Sequence, residues 1–150
     1  MSTFQKIFLY VFFLQLNLNK VEFLGLIPND KLIEYYNDAK IVVVPSRWPE
    51  PHARVIVEAM LRGCTVVASK PGGSEELILH KKNGLLFHSR DIKELVTFLN
   101  FLLRHPQESS KMSQLAALGI RRKYQLGSVI VAHEQFYHQI ISNYENNRQV

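Results

Sequence analysis

Apolar positions along the chain follow two different spacings. Ile41-Val-Val-Val44 and Thr65-Val-Val-Ala68 are short continuous runs rich in β-branched residues. Runs apolar on both faces belong to parallel strands covered by helices on each side. Between them Val55, Ile56, Ala59 and Met60 recur at helical spacing, which predicts the inner face of a helix. Gly63 follows where a left-handed cap is wanted. Residues 41–68 therefore read as a β-α-β unit. Upstream, Val21 to Leu24 alternates and meets Gly25, a short strand, and Leu32, Ile33, Tyr36 and Ala39 predict a helix over about 30–40. Downstream, the pattern predicts a short helix over 75–80, a strand over 84–87 and a helix over 91–104. In that helix Asp91 is the N-cap and Glu94, three residues on, completes a capping-box pattern; Leu95, Phe98, Leu99 and Leu102 form the core face. Beyond Pro106 come helices over about 107–124 and 128–144, the last apolar at Val129, His133, Phe136, Tyr137, Ile140, Ile141 and Tyr144. The alternation predicts an α/β, Rossmann-like parallel sheet with strands near 21–24, 41–44, 65–68 and 84–87 and helices on both faces.

The bulk numbers narrow the class. With 150 residues, 47% hydrophobic and 21% charged, the chain can bury one sizeable core and is not wholly disordered. Its net charge of +5 suits an anionic ligand or peripheral contact with an anionic membrane surface. No nucleic-acid-binding motif accompanies that charge, so nucleic acid is not an expected partner. The single cysteine, Cys64, forbids an intrachain disulfide and points to a reducing cytoplasm. Ile7 to Leu14 is apolar and follows Lys6. It lacks a small-residue cleavage site, runs into Gln15, Asn17, Asn19 and Lys20, and falls short of the roughly 20 apolar residues of a membrane span. It reads as a buried helix or strand, and residues 1–20 are set apart as an apolar segment without an assigned role.

The chemistry concentrates between Val44 and Met60. A strand ends at Pro45, a loop follows, and Pro51 is expected to open the helix as a first helical residue. First-turn N–H groups near Ala53, Arg54 and Val55 would lack partners inside the helix and, with its dipole, make an anion site. The loop leaves the carboxyl end of a buried strand, where open α/β sheets hold ligands. Glu50 lies just ahead of the expected helix and Glu58 two turns in. The two carboxylates are expected to line one cleft and bracket a ligand, and carboxylates accept paired hydroxyl hydrogen bonds, which suits the vicinal diols of sugars. Singly, each has a structural explanation: a carboxylate near a helix start is favourable without any function, and Glu58 could be a solvated helix residue. Their joint placement at a strand-to-helix turn is the signal. Neither a Walker-type nor a G-x-G-x-x-G fingerprint occurs, and no base is placed with Cys64 to make it a nucleophile.

The ordered series Phe23-Leu24-Gly25, Pro45-Ser46, Glu50, Glu58-Ala59-Met60, Gly63, Val66-Val67-Ala68, Gly72-Gly73, Glu76 and Asn83-Gly84-Leu85-Leu86 resembles the donor-binding, C-terminal lobe of the retaining GT-B glycosyltransferases called group 1, or family 4, with their Glu-x7-Glu motif. The resemblance covers about residues 21–145. It implies transfer of a sugar from a UDP- or GDP-linked donor with retention, with no metal or cofactor. Glu50 would contact the donor sugar and serve as the catalytic residue. His52, Ala53, Arg54 and Val55 would present backbone N–H groups to sugar and diphosphate. Glu58 would hold the ribose hydroxyls, Ile27 would flank the base, and the Gly-rich loop 71–73 would shape the sheet edge beside the site. The family usually has Phe-Gly where this chain has His52-Ala53, and Cys64-Thr65 stands where a variable residue and Pro are usual. Such enzymes resemble two facing lobes, the first binding acceptor, and their second lobe begins with a basic loop that clamps the diphosphate. Neither is recognisable in residues 1–20. The expectation is a lobe that binds donor weakly and transfers no sugar until a separate acceptor lobe joins it. Alternatives are a nucleotide-sugar-binding module without turnover and an inactive remnant.

Overall fold

The computed structural model describes residues 24–51, 53–70 and 72–147. Strand β1 (Ile41–Val44) follows helix α1 (Asn29–Asp38); α2 (Arg54–Leu61) leads to β2 (Thr65–Lys70); a single turn, α3 (Ser74–Leu77), precedes β3 (Leu85–His88); and α4 (Ile92–Arg104), α5 (Pro106–Lys123) and α6 (Leu126–Asn147) complete the chain. The three strands form a parallel sheet in the order β1-β2-β3. Val42 pairs with Val66 and Val67 with Leu85, so the β-branched runs stack across the sheet. Of the expected strand over 21–24, residues 21–23 lie outside the described residues and Leu24 is not in a strand; the segment from Ile7 to Leu14 lies outside them as well.

The strands are apolar on both sides because both sides are covered. On one side Val42, Val66, Ala68 and Leu86 pack with Ile56, Ala59 and Met60 of α2 and with Ala116 and Ile120 of α5. On the other, Val43, Val67, Leu85 and Phe87 pack with Leu95 and Leu102 of α4 and Met112 of α5. Val66 and Val67 are fully buried on opposite faces, each burial stabilising by roughly 1.5–3 kcal/mol. Polar anchors fix the helices. Thr65 donates Oγ1–H to the Ser109 carbonyl at 2.8 Å, tying α5 to the start of β2. Cys64 donates its thiol to the Tyr36 carbonyl at 3.1 Å, tying α1 to the same place. The residues filling the family's variable position and Pro thus hold two helices.

Helix ends follow local chemistry, with exceptions. Gly63, at φ 82°, turns the chain out of α2 as expected. Asp91 accepts the Glu94 N–H at 2.9 Å, the N-cap expected of it. The reciprocal half of the box is diverted: the Glu94 carboxylate accepts from the His88 N–H at 2.6 Å, pinning the end of β3 to α4. Pro51 does not open α2, which starts three residues later at Arg54. Glu50 is bridged to Gly72 and Ala53 is drawn into the core with non-helical φ and ψ, so the backbone is not free to coil before that point. Glu58 consequently sits one turn into the helix, not two. The turn expected over 75–80 closes earlier, at Leu77, because Leu79 N–H is taken by Asn83 Oδ1 at 2.7 Å. In α6 the apolar side chains Phe136, Tyr137, Ile140, Ile141 and Tyr144 are exposed.

Candidate functional site

Glu50 lies where the sheet's carboxyl ends meet the loop after β1. Its position is set from two directions. Ser46, at the loop's start, donates Oγ–H to Glu50 Oε1 at 2.9 Å. From below, the Gly73 N–H donates to the Glu50 carbonyl at 2.7 Å, and Glu50 pairs with Gly72 in a parallel bridge. The approach is so close that a Cβ on Gly72 would stand 2.8 Å from Glu50 N, and one on Gly73 would stand 2.6 Å from Pro51 O. Gly72 also has φ 112°, which only glycine adopts without strain. A serine chain continues the support: Ser69 donates to the Ser46 carbonyl at 2.6 Å and Ser74 to the Ser69 carbonyl at 2.8 Å. The glycine pair therefore does more than shape an edge, since it clamps the loop that carries Glu50. The sequence reading named Ser46 only as part of a motif, with no role, and missed Ser69 and Ser74. The signal available was small polar residues recurring at the ends of adjacent strands.

Ala53 is buried, and the depression it lines with Glu50, Ser46 and Ser69 has a volume of only about 10 Å³, room for one water molecule. A second depression is larger, about 240 Å³, and runs between α1 and α2 past Asn29, Leu32, Tyr36, Arg54, Glu58 and Arg62. Glu50 lines the first depression and Glu58 the second, and the adjacent residues Ala53 and Arg54 line one each. Each carboxylate has its own partner, Glu50 in Ser46 and Glu58 in Arg54, whose Nε lies 3.0 Å from Glu58 Oε1. Arg54 and Glu58 are four residues apart and so share a face of α2. Val55 packs against the core, which leaves only its backbone for a ligand. Ile27 is partly buried, and Asn29, two residues on, lines the groove. His52 lies outside the described residues.

The electrostatics single out two groups. Burial, then the nearby Glu58 carboxylate, push the Tyr36 phenol up to about 12, so it stays a neutral donor near neutral pH. Its hydroxyl is sealed from solvent with no hydrogen-bond partner among the described residues, a rare state for a buried polar group. Burial likewise pushes the Cys64 thiol up to about 11; a fully buried, protonated thiol is no nucleophile. The Arg54–Glu58 pair is exposed, 68% on the Arg54 side, and such pairs contribute ~0–1 kcal/mol, so a ligand can part them at small cost. Among the described residues, no cluster of three or more His, Cys, Asp or Glu could hold a metal ion, and no helix is long and apolar enough to cross a membrane.

A parallel α/β sheet with a fixed carboxylate and a helix start at its carboxyl edge defines a lobe suited to an anionic ligand bearing hydroxyl groups. Residues 9–118 match the family model of glycosyl transferases group 1, and the chain belongs to that family. An uncharacterized glycosyltransferase of Methanocaldococcus jannaschii is 41% identical over 73 residues, covering 49% of this chain and 18% of that protein. The structure of Anabaena HepE in complex with UDP-glucose superposes with a TM-score of 0.62 at 31% identity, over 73% of this chain and 29% of the other. Sucrose-phosphate synthase from Thermosynechococcus elongatus superposes with a TM-score of 0.73 at 27% identity, over 83% of this chain and 31% of the other. These neighbours have the GT-B fold, of which the sheet described above is the Rossmann-like part. The chain spans about a third or less of the length of the curated relatives it matches.

Proposed function

We propose that this chain is the donor-sugar lobe of a retaining group 1 glycosyltransferase of family 4, working opposite an acceptor-binding lobe. The observation that carries the reading is the Glu50 carboxylate, fixed by Ser46 at the sheet's carboxyl edge, just ahead of α2. In this reading Glu50 meets the donor sugar and is the catalytic residue. His52, Ala53, Arg54 and Val55 offer N–H groups to sugar and diphosphate, Glu58 takes the ribose hydroxyls, and Ile27 flanks the base. The ligand is a UDP- or GDP-linked sugar; HepE, a structural neighbour, is bound to UDP-glucose. No metal is required, because helix N–H groups and Arg54 face the diphosphate charge.

The acceptor lobe matters because orientation supplies a large part of the rate, on the order of 7–11 kcal/mol in well-aligned intramolecular models. The test is radiolabelled transfer from UDP-glucose and GDP-mannose to sugar and lipid acceptors, with the chain alone and with a group 1 acceptor lobe added. Transfer only with the added lobe, abolished by Glu50→Ala, supports the reading. Transfer by the chain alone defeats the need for a second lobe. Donor binding without transfer in either arrangement makes the chain a nucleotide-sugar-binding module.

A further inference from the structure

Tyr36 is the unexplained group of the groove between α1 and α2. It is 4% exposed, its hydroxyl is sealed and unpartnered among the described residues, and it lines the same depression as Glu58 and Arg54. Buried hydroxyls are almost always satisfied, and a Phe here would fill the same space without leaving an orphan. Glu58 lines the same depression and is incompletely used. Only Oε1 is bonded among the described residues, and its partner is the largely exposed Arg54 guanidinium. The groove, at about 240 Å³, lies just below the ~300–1,000 Å³ usual for drug-sized ligands, so it suits the nucleoside portion of a ligand and not a whole nucleotide sugar.

We propose that Tyr36 is a positioning residue for Glu58: as a nucleoside diphosphate binds, Arg54 turns to the phosphates, Glu58 turns to the ribose diol, and the Tyr36 hydroxyl donates to the Glu58 carboxylate and holds it there. This rests on the donor-lobe reading, because it takes Glu58 as the residue that meets the ribose. No proton is transferred: the phenol keeps its hydrogen and acts only as a donor. The sealed hydroxyl needs no contact with the ligand, because it acts through Glu58. The hydroxyl, without a partner among the described residues of the free protein, gains one in the complex, which gives the bound arrangement an advantage that the free one lacks.

The test is a double-mutant cycle on the full chain, with UDP binding measured by calorimetry for the unaltered protein, Tyr36→Phe, Glu58→Ala and the double variant. Tyr36→Phe should weaken UDP by about tenfold, the scale of a hydrogen bond to a charged group, and leave Tm unchanged or raised. In the Glu58→Ala background the same change should have no further effect. Equal weakening by Tyr36→Phe in both backgrounds would mean that the phenol only packs, and overturns the proposal. UDP binding that Glu58→Ala weakens and Tyr36→Phe leaves alone also overturns it while sparing the donor-lobe reading. A chain that binds neither UDP nor GDP overturns both.

Discussion

Ser46 donates its hydroxyl hydrogen to Glu50 Oε1 at 2.9 Å, while its carbonyl accepts the Ser69 hydroxyl at 2.6 Å. The carboxylate is thus aimed by a residue that is itself tied to β2. Ser46→Ala should weaken UDP-glucose roughly fivefold, the equivalent of about 1 kcal/mol for one hydrogen bond, and Ser46→Thr should restore most of it. Calorimetric titration measures both, and unchanged affinity in Ser46→Ala would mean that Glu50 needs no support.

Gly73→Ala should destabilise the fold by ~1–3 kcal/mol, because the new Cβ would stand 2.6 Å from the Pro51 carbonyl and the backbone would have to give way. Gly119, inside α5, is the contrast. A Cβ there meets nothing within 4 Å, so Gly119→Ala should stabilise by about 0.5–1 kcal/mol through helix propensity. Urea unfolding of the two variants should move the midpoint in opposite directions; a shift in the same direction would contradict the clamp.

Acid should weaken the fold in two separate windows. His80 has its pKa lowered from 6.5, first by burial and then by Lys81 and Lys70, and its Nδ1 accepts the Leu86 N–H at 3.0 Å. The unfolded chain therefore takes up this proton more readily, and stability falls as pH drops below 6.5 toward the folded value. Glu94 has its pKa lowered from 4.5, first by the His88 N–H, so its contribution is full above 4.5 and is lost below that. Unfolding free energy against pH should lose the upper slope in His80→Gln and the lower slope in Glu94→Gln. An unaltered profile in either variant would refute that assignment.

Cys64 should be inert toward thiol reagents in the folded protein. It is fully buried with its thiol pushed up to about 11, and only the thiolate attacks. The rate of labelling by a disulfide reagent at pH 8 should track urea concentration through the unfolding transition. Fast labelling without urea would show that α1 opens from the sheet easily, since the Cys64 thiol is bonded to Tyr36.

Much of the fold was legible because the signals were local. The runs at 41–44 and 65–68 could only be strands buried on both faces, and the α4 cap at Asp91 appeared as written. What failed was decided by contacts distant in sequence. Pro51 looks like a helix opener until Gly72 and Gly73, more than twenty residues on, hold the loop extended. The partners of the two carboxylates, Ser46 for Glu50 and Arg54 for Glu58, likewise appear only in three dimensions. Tyr36 read only as an apolar position of a helix, and that its hydroxyl is buried with no partner among the described residues became visible only in three dimensions.

The glycine clamp also fixes how this lobe can diversify. Because Gly72 and Gly73 sit directly against the backbone of Pro49–Pro51, an inserted or deleted residue within that stretch would break the Glu50–Gly72 bridge. Variation around Glu50 is therefore left to side chains beside the clamped stretch, such as those of Arg47 and Trp48, rather than to changes in its length. Among the described residues the groove between α1 and α2 is lined by side chains and carries no glycine pair of this kind.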